Sequence, residues 1–210
     1  DGMAEEVLAV LSRVEGLKVA SRTSAFAFKG RDASLAEIAR ELNVAHLLEG
    51  SVRRQDQRVR ITVQLVDATK GFPLWSQNFD RELVDIFAVQ EEIAQAISSA
   101  LGGALGIESA AQPVRVAQPT ADLGAYGAYL RGRQLFYRRG EALRASIQLL
   151  EDAVARDPAF AQAWAVLAAA SAVAPDYLSV PRKPMYERAA AAAERARGLD
   201  DTLALPYAVL

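Results

Sequence analysis

Cysteine is missing from all 210 residues, which excludes a disulfide framework and any thiolate metal site. Histidine occurs once, as His46, so no multi-histidine metal centre can be assembled. Neither charge sign dominates: 24 Lys and Arg stand against 26 Asp and Glu, and a net charge of -2 exerts no long-range pull on nucleic acid or acidic membranes. No apolar run reaches the roughly 20 residues a membrane helix needs, and the N-terminus lacks a signal-peptide pattern. Apolar residues are abundant at 51%, enough for the core of one large domain or two small ones. The chain starts in a helical pattern and stops inside another, as expected of a segment of a longer protein.

The stretch from Ala45 to Arg81 reads as three strands joined by tight turns. Val59, Ile61, Val63 and Leu65 alternate with Arg60, Thr62 and Gln64, the period of a strand with one face buried. Arg53 to Arg58 forms a polar break of hairpin length before that strand, and Asp67 to Gly71 supplies a second turn after it. Phe72 to Arg81, with Leu74, Trp75 and Phe79, returns as the third strand.

Around this meander the pattern is helical. Ala4, Val7, Leu8, Leu11 and Val14 predict a first helix over residues 1–15, ended by Gly16, with Glu5 and Glu6 off its apolar stripe. Leu17 to Ser21 reads as a short strand. Ser34 and Glu37 have the spacing of a capping box, so a helix starts at Leu35. Strand, helix, strand is a crossover that would set 17–21 parallel to the strand beginning near Ala45, giving a small mixed sheet flanked by helices. Leu83, Ile86, Phe87, Ile93, Ile97, Leu101 and Leu105 predict a long closing helix that ends near Gly102-Gly103 or Gly106. The expected class is α+β over residues 1–107, then a linker at 108–119.

From 120 to 210 the pattern is all helix. Ala153-Val154-Ala155-Arg156-Asp157-Pro158, followed by Trp164, Leu167 and Ala168, resembles the tetratricopeptide repeat. Tyr129, Leu130, Gly132 and Leu135 fit the first helix of a preceding repeat, and Ala145, Ile147, Leu150 and Ala153 its second. Ala189, Ala193, Ala196 and Leu199 fit a further second helix, with Asp201 where the family has proline. Pro175, Pro181 and Pro184 predict a loop longer than such a repeat needs. A last helix near Leu203 or Ala204 is cut short and needs a neighbour over its apolar side.

The first half carries its own landmarks. Asp1-Gly2-Met3-Ala4-Glu5-Glu6, Val19-Ala20-Ser21-Arg22-Thr23-Ser24, Phe26-Ala27-Phe28-Lys29-Gly30, Glu49-Gly50-Ser51-Val52-Arg53-Arg54 and Leu74-Trp75-Ser76 together resemble the TolB-like amino-terminal domain of bacterial signalling proteins. The resemblance implies a non-catalytic α/β domain ahead of tetratricopeptide repeats, behind adenylate or guanylate cyclase domains or winged-helix regulators. It also implies an apolar strand before Asp1.

No residue set predicts catalysis. The pairs Glu5-Glu6, Glu91-Glu92 and Asp200-Asp201 are adjacent in sequence, so their side chains diverge, and a solvated surface is the simpler reading. His46 has no orienting or metal-binding partner. Gly102 to Gly106 trails a helix and lacks the Lys-Ser or Lys-Thr of a phosphate loop. Arg53, Arg54, Arg58 and Arg60 make one hairpin basic, which either meets an acidic partner or keeps a sheet end solvated. The resemblance to tetratricopeptide repeats implies a concave groove lined by Tyr126, Tyr129, Arg133, Phe136 and Tyr137, with Gln162 and Ala165 from the next repeat. Aromatic and arginine side chains suit contact hot spots, although the same aromatics could serve as core packing.

The expectation is a regulatory or scaffolding segment that binds a protein, a peptide or a second copy. No cofactor, nucleic acid or membrane insertion is expected. The alternatives are a cell-envelope domain that binds a small molecule between sheet and repeats, and, more weakly, a hydrolase.

Overall fold

The computed structural model describes residues 2–12, 14, 16–56, 58–82, 86–105 and 118–210. Two compact units divide the chain, the second being Gln118–Leu210. Most of the expected linker, the Gly106 end of the long helix and Leu83 lie outside the described residues.

The first unit opens with helix α1, Gly2–Leu11, which buries Val7 and Leu11. It ends short of Gly16, which sits in a turn beyond it at φ 83°. Glu5, expected in solvent, is 6% exposed and takes a hydrogen bond of 2.7 Å from the Arg22 guanidinium. Leu17 to Ser21 is not a strand. The Ser21 hydroxyl accepts the amide of Ser24 at 3.1 Å and caps a short helix, α2, Arg22–Phe26. A serine five residues after Gly16 thus finds a local bond that competes with sheet pairing. The Arg22 guanidinium lies 5.0 Å from the centre of the Phe26 ring.

The Ser34 capping box is present. The Ser34 amide donates to the Glu37 carboxylate at 2.8 Å, and the Glu37 amide donates back to the Ser34 hydroxyl at 3.3 Å. Helix α3, Leu35–Leu42, starts there and ends at Asn43 in the left-handed region.

Three strands follow: β1, His46–Gln55, β2, Arg58–Asp67, and β3, Phe72–Glu82. They form an antiparallel sheet in the order β1-β2-β3. Among the described residues no parallel strand joins it, which corrects the mixed sheet expected from sequence. The first turn is tighter than the polar run suggests. Gln55 pairs with Arg58 and Asp56 takes φ 52°, so Arg53, Arg54 and Arg58 are strand residues rather than a loop. At the second turn the Asp67 carboxylate accepts the Thr69 hydroxyl at 2.6 Å and the amides of Thr69 and Lys70 at 3.0 and 3.1 Å. Gly71 closes it at φ 71°. A bulge between Leu65 and Val66 sets Leu65 opposite Trp75 and Val66 opposite Pro73, and proline is tolerated there because a bulge interrupts the ladder.

One face of β2 carries the core: Val59, Ile61, Val63 and Leu65 are buried, with Phe79 fully buried opposite Ile61. Helix α4, Ile86–Leu105, buries Val89, Ile93, Ala94, Ile97 and Leu101. It contacts β3, and Arg81 grips Glu92 with two nitrogens, Nη2 to Oε1 at 2.6 Å and Nε to Oε2 at 3.1 Å. Gly102 and Gly103 do not end α4. Each costs the helix about 1 kcal/mol relative to alanine, which tertiary packing of the apolar stripe outweighs.

The second unit is built from two helical hairpins. Helices α5, Leu123–Arg138, and α6, Ala142–Arg156, make the first; α7, Ala161–Tyr177, and α8, Arg182–Leu199, make the second. Helix α6 also packs on α7, so the hairpins stack side by side. Gly132 is what brings α5 against α6: a Cβ there would lie 2.8 Å from Leu150 Cγ. The Ser146 hydroxyl, fully buried, donates to the Gly132 carbonyl at 2.7 Å. In the second hairpin the approach is made by alanines, with Ala163, Ala170, Ala174, Ala193 and Ala196 all at 0% exposure.

The long loop expected around Pro175 is absent. Helix α7 runs through Pro175 to Tyr177, and the connection to α8 is short. Pro175 lies in the last turn, where the Leu178 amide still reaches the Ala174 carbonyl at 2.8 Å. Helix α9, Ala204–Tyr207, is not an orphan: it packs on α7 and α8 through the buried Pro206.

Candidate interaction surfaces

The residues expected to line a groove divide into two groups. Tyr126, Tyr129, Phe136 and Ala165 are buried, while Arg133 and Gln162 are half-buried and Tyr137 is 43% exposed. Tyr129 explains the first group. Its ring centre lies 4.8 Å from that of the fully buried Phe160 and 6.3 Å from that of Tyr126, so this cluster is interior packing between α5 and the start of α7. Arg133 reaches back along its helix, donating to the Tyr129 hydroxyl at 2.8 Å and lying 5.0 Å from that ring's centre. Of the expected groove residues, the ones left accessible are therefore Arg133, Tyr137 and Gln162, a polar set around one aromatic.

The basic hairpin is less basic than its composition. Arg60 is directly opposite Asp80, to which its Nε donates at 3.1 Å, and Arg58 Nε approaches the same carboxylate at 3.7 Å. The Arg60 hydrogen bonds hold the Asp80 carboxyl below its ordinary range, and Asp80 raises Arg60 in turn. Arg53 is exposed and lies opposite Arg60 across β1 and β2. Arg54 is in β1 opposite Val59. His46 begins β1 opposite Asp67, whose carboxyl is held well below the usual range by the Thr69 hydroxyl and the Lys70 amide. Among the described residues no three His, Asp or Glu side chains gather into a group that could hold a metal ion.

The second unit has a shallow cavity of about 640 Å³ between α6, α7 and α8 that periodicity alone does not reveal. Its lining includes Val154, Trp164, Leu167 and Ala192, with Arg188 and Arg195 on α8. Arg188 is ion-paired with Glu151, and both Trp164 Nε1 and Arg195 Nη2 donate to the Pro158 carbonyl, at 3.1 and 3.4 Å. The legible trace is the spacing of Arg188 and Arg195, two helical turns apart on one face.

No helix among the described residues is long and apolar enough to cross a membrane. No description of a known protein family matches the chain. Over 134 residues, 64% of its length, the chain is 41% identical to a protein of Rhizobium meliloti (strain 1021) named "Putative adenylate cyclase 3". The match spans 22% of that relative, so the shared stretch is about a fifth of it and the chain is homologous to part of that protein.

Proposed function

We propose that this chain is a non-catalytic regulatory segment of a bacterial cyclase-type signalling protein, in which a TolB-like unit is followed by tetratricopeptide-type repeats that bind a protein or peptide. One observation carries the reading: 41% identity to a stretch that makes up only 22% of a relative named as an adenylate cyclase.

The helical unit supports the repeat assignment. Helices α6 and α8 both end on an aspartate, Asp157 and Asp200, whose carboxylate accepts the amide two residues on, at 2.9 Å from Ala159 and 3.0 Å from Thr202. In each case the next helix starts after the same interval, α7 at Ala161 and α9 at Ala204. Two equivalent junctions between stacked hairpins are what a repeating unit requires. The partner surface in this reading is Arg133, Tyr137 and Gln162.

The test has two arms. The chain incubated with ATP and divalent metal should form no cyclic AMP above background. Immobilised chain should capture a defined segment of the longer protein, or its physiological partner, and Tyr137→Ala with Arg133→Ala should weaken that capture about tenfold or more, as for a contact hot spot. Turnover by the chain alone, or capture indifferent to these substitutions, refutes the reading.

A further inference from the structure

Strand β1 bonds to β2 alone among the described strands, so no described strand lies along its other edge. All residues from Leu48 to Arg53 are exposed, and since successive side chains point to opposite faces, both faces are open. Gly50 is exposed too, and with no side chain it can be exposed only through its backbone. The strand has no proline or lysine to blunt that edge. On the core-facing side Leu48 and Val52 are 39% and 51% exposed, beside the buried Leu65 and Ile61 to which they are paired.

The other face is charged in a self-complementary way. Glu49, Ser51 and Arg53 stand opposite Gln64, Thr62 and Arg60. Arg53 thus meets a like charge, and the nearby carboxylate of Asp80 is already engaged by Arg58 and Arg60. Neither Glu49 nor Arg53 is ion-paired with another described side chain.

We propose that β1 pairs antiparallel with β1 of a second copy about a two-fold axis through Ser51, so that one sheet runs through both copies. In that register Glu49 lies opposite Arg53 of the partner subunit, and Arg53 opposite Glu49 of the partner subunit. Ser51 lies opposite its own equivalent. Val52 lies opposite Gly50 of the partner subunit, where no side chain competes for space. Gly50 is required from the β2 side as well, since a Cβ would lie 2.8 Å from the Thr62 carbonyl oxygen. The two-fold satisfies both unpartnered charges at once and closes the assembly as a dimer. It stands independently of the regulatory reading above.

The experiment is sedimentation of the 210-residue chain across a concentration series, with backbone hydrogen exchange on the same samples. The wild type should be a dimer in which the outward amides between Leu48 and Arg53 exchange slowly. Arg53→Glu should weaken dimerisation roughly tenfold, because two cross-strand pairs become repulsive. The double exchange Glu49→Arg with Arg53→Glu should restore wild-type affinity and protection. A wild type that is monomeric throughout overturns the proposal, including one whose β1 amides are protected by the chain itself. A dimer as tight in Arg53→Glu as in wild type, or a double variant as weak as the single one, also overturns it.

Discussion

Gly132 and Asp67 show how much of each unit depends on one residue. Replacing Gly132 by alanine pushes a methyl group against Leu150, which is fully buried and cannot swing away, and toward the Ser146 carbonyl at 3.2 Å. The expected cost is about 1–3 kcal/mol, read from the denaturant midpoint of the second unit. Ser146→Ala should cost about 1 kcal/mol in the same assay, because the Gly132 carbonyl loses its buried donor. Asp67, Asp80 and Glu37 all have carboxyls held below their ordinary range by hydrogen bonds. A depressed folded pKa gives stability that is fully present above the unfolded value of about 4 and is lost as pH falls through the folded value. The unfolding midpoint of the first unit should therefore be flat from neutral pH down to about 5 and fall below that. Asp67→Asn should make that acid limb shallower. The small residue at Gly132 was legible in the sequence as part of a repeat pattern. The Glu5–Arg22 pair was not, because periodicity places Glu5 off the apolar stripe and says nothing of a cation arriving from another helix.

At the scale of elements, signals that need only near neighbours were readable. The Ser34–Glu37 box places the start of α3, and the alternation from Val59 to Leu65 places the buried face of β2. Ser34→Ala should cost about 1 kcal/mol and increase exchange in the first turn of α3, measured by backbone hydrogen exchange. Signals that depend on distant partners misled. Leu17 to Ser21 has strand-like composition, but a strand exists only where another pairs with it, and here Ser21 caps α2 instead. Pro175 reads as a helix breaker, yet in a last turn it forfeits only one backbone bond. For the aromatics of α5 the sequence left groove lining and core packing open, since nothing in the chain before Phe160 shows that a ring will pack against Tyr129.

At the scale of the molecule, the change from alternating to purely helical pattern coincides with a division into two compact units. The segment 118–210 expressed alone should melt in a single cooperative helical transition by circular dichroism, because its buried Leu143, Leu150, Phe160 and Ala170 are supplied by its own hairpins. The relative spans far more sequence than this chain, which is why the regulatory reading places chemistry outside it. The proposed role is tested most directly by the rate of cyclic AMP formation by an adenylate cyclase that carries this chain as the corresponding segment, compared between wild type and Tyr137→Ala with Arg133→Ala. A regulatory segment requires that the rate shift several-fold while the KM for ATP stays the same. An unchanged rate, or cyclic AMP formed by the 210-residue chain alone, would contradict it.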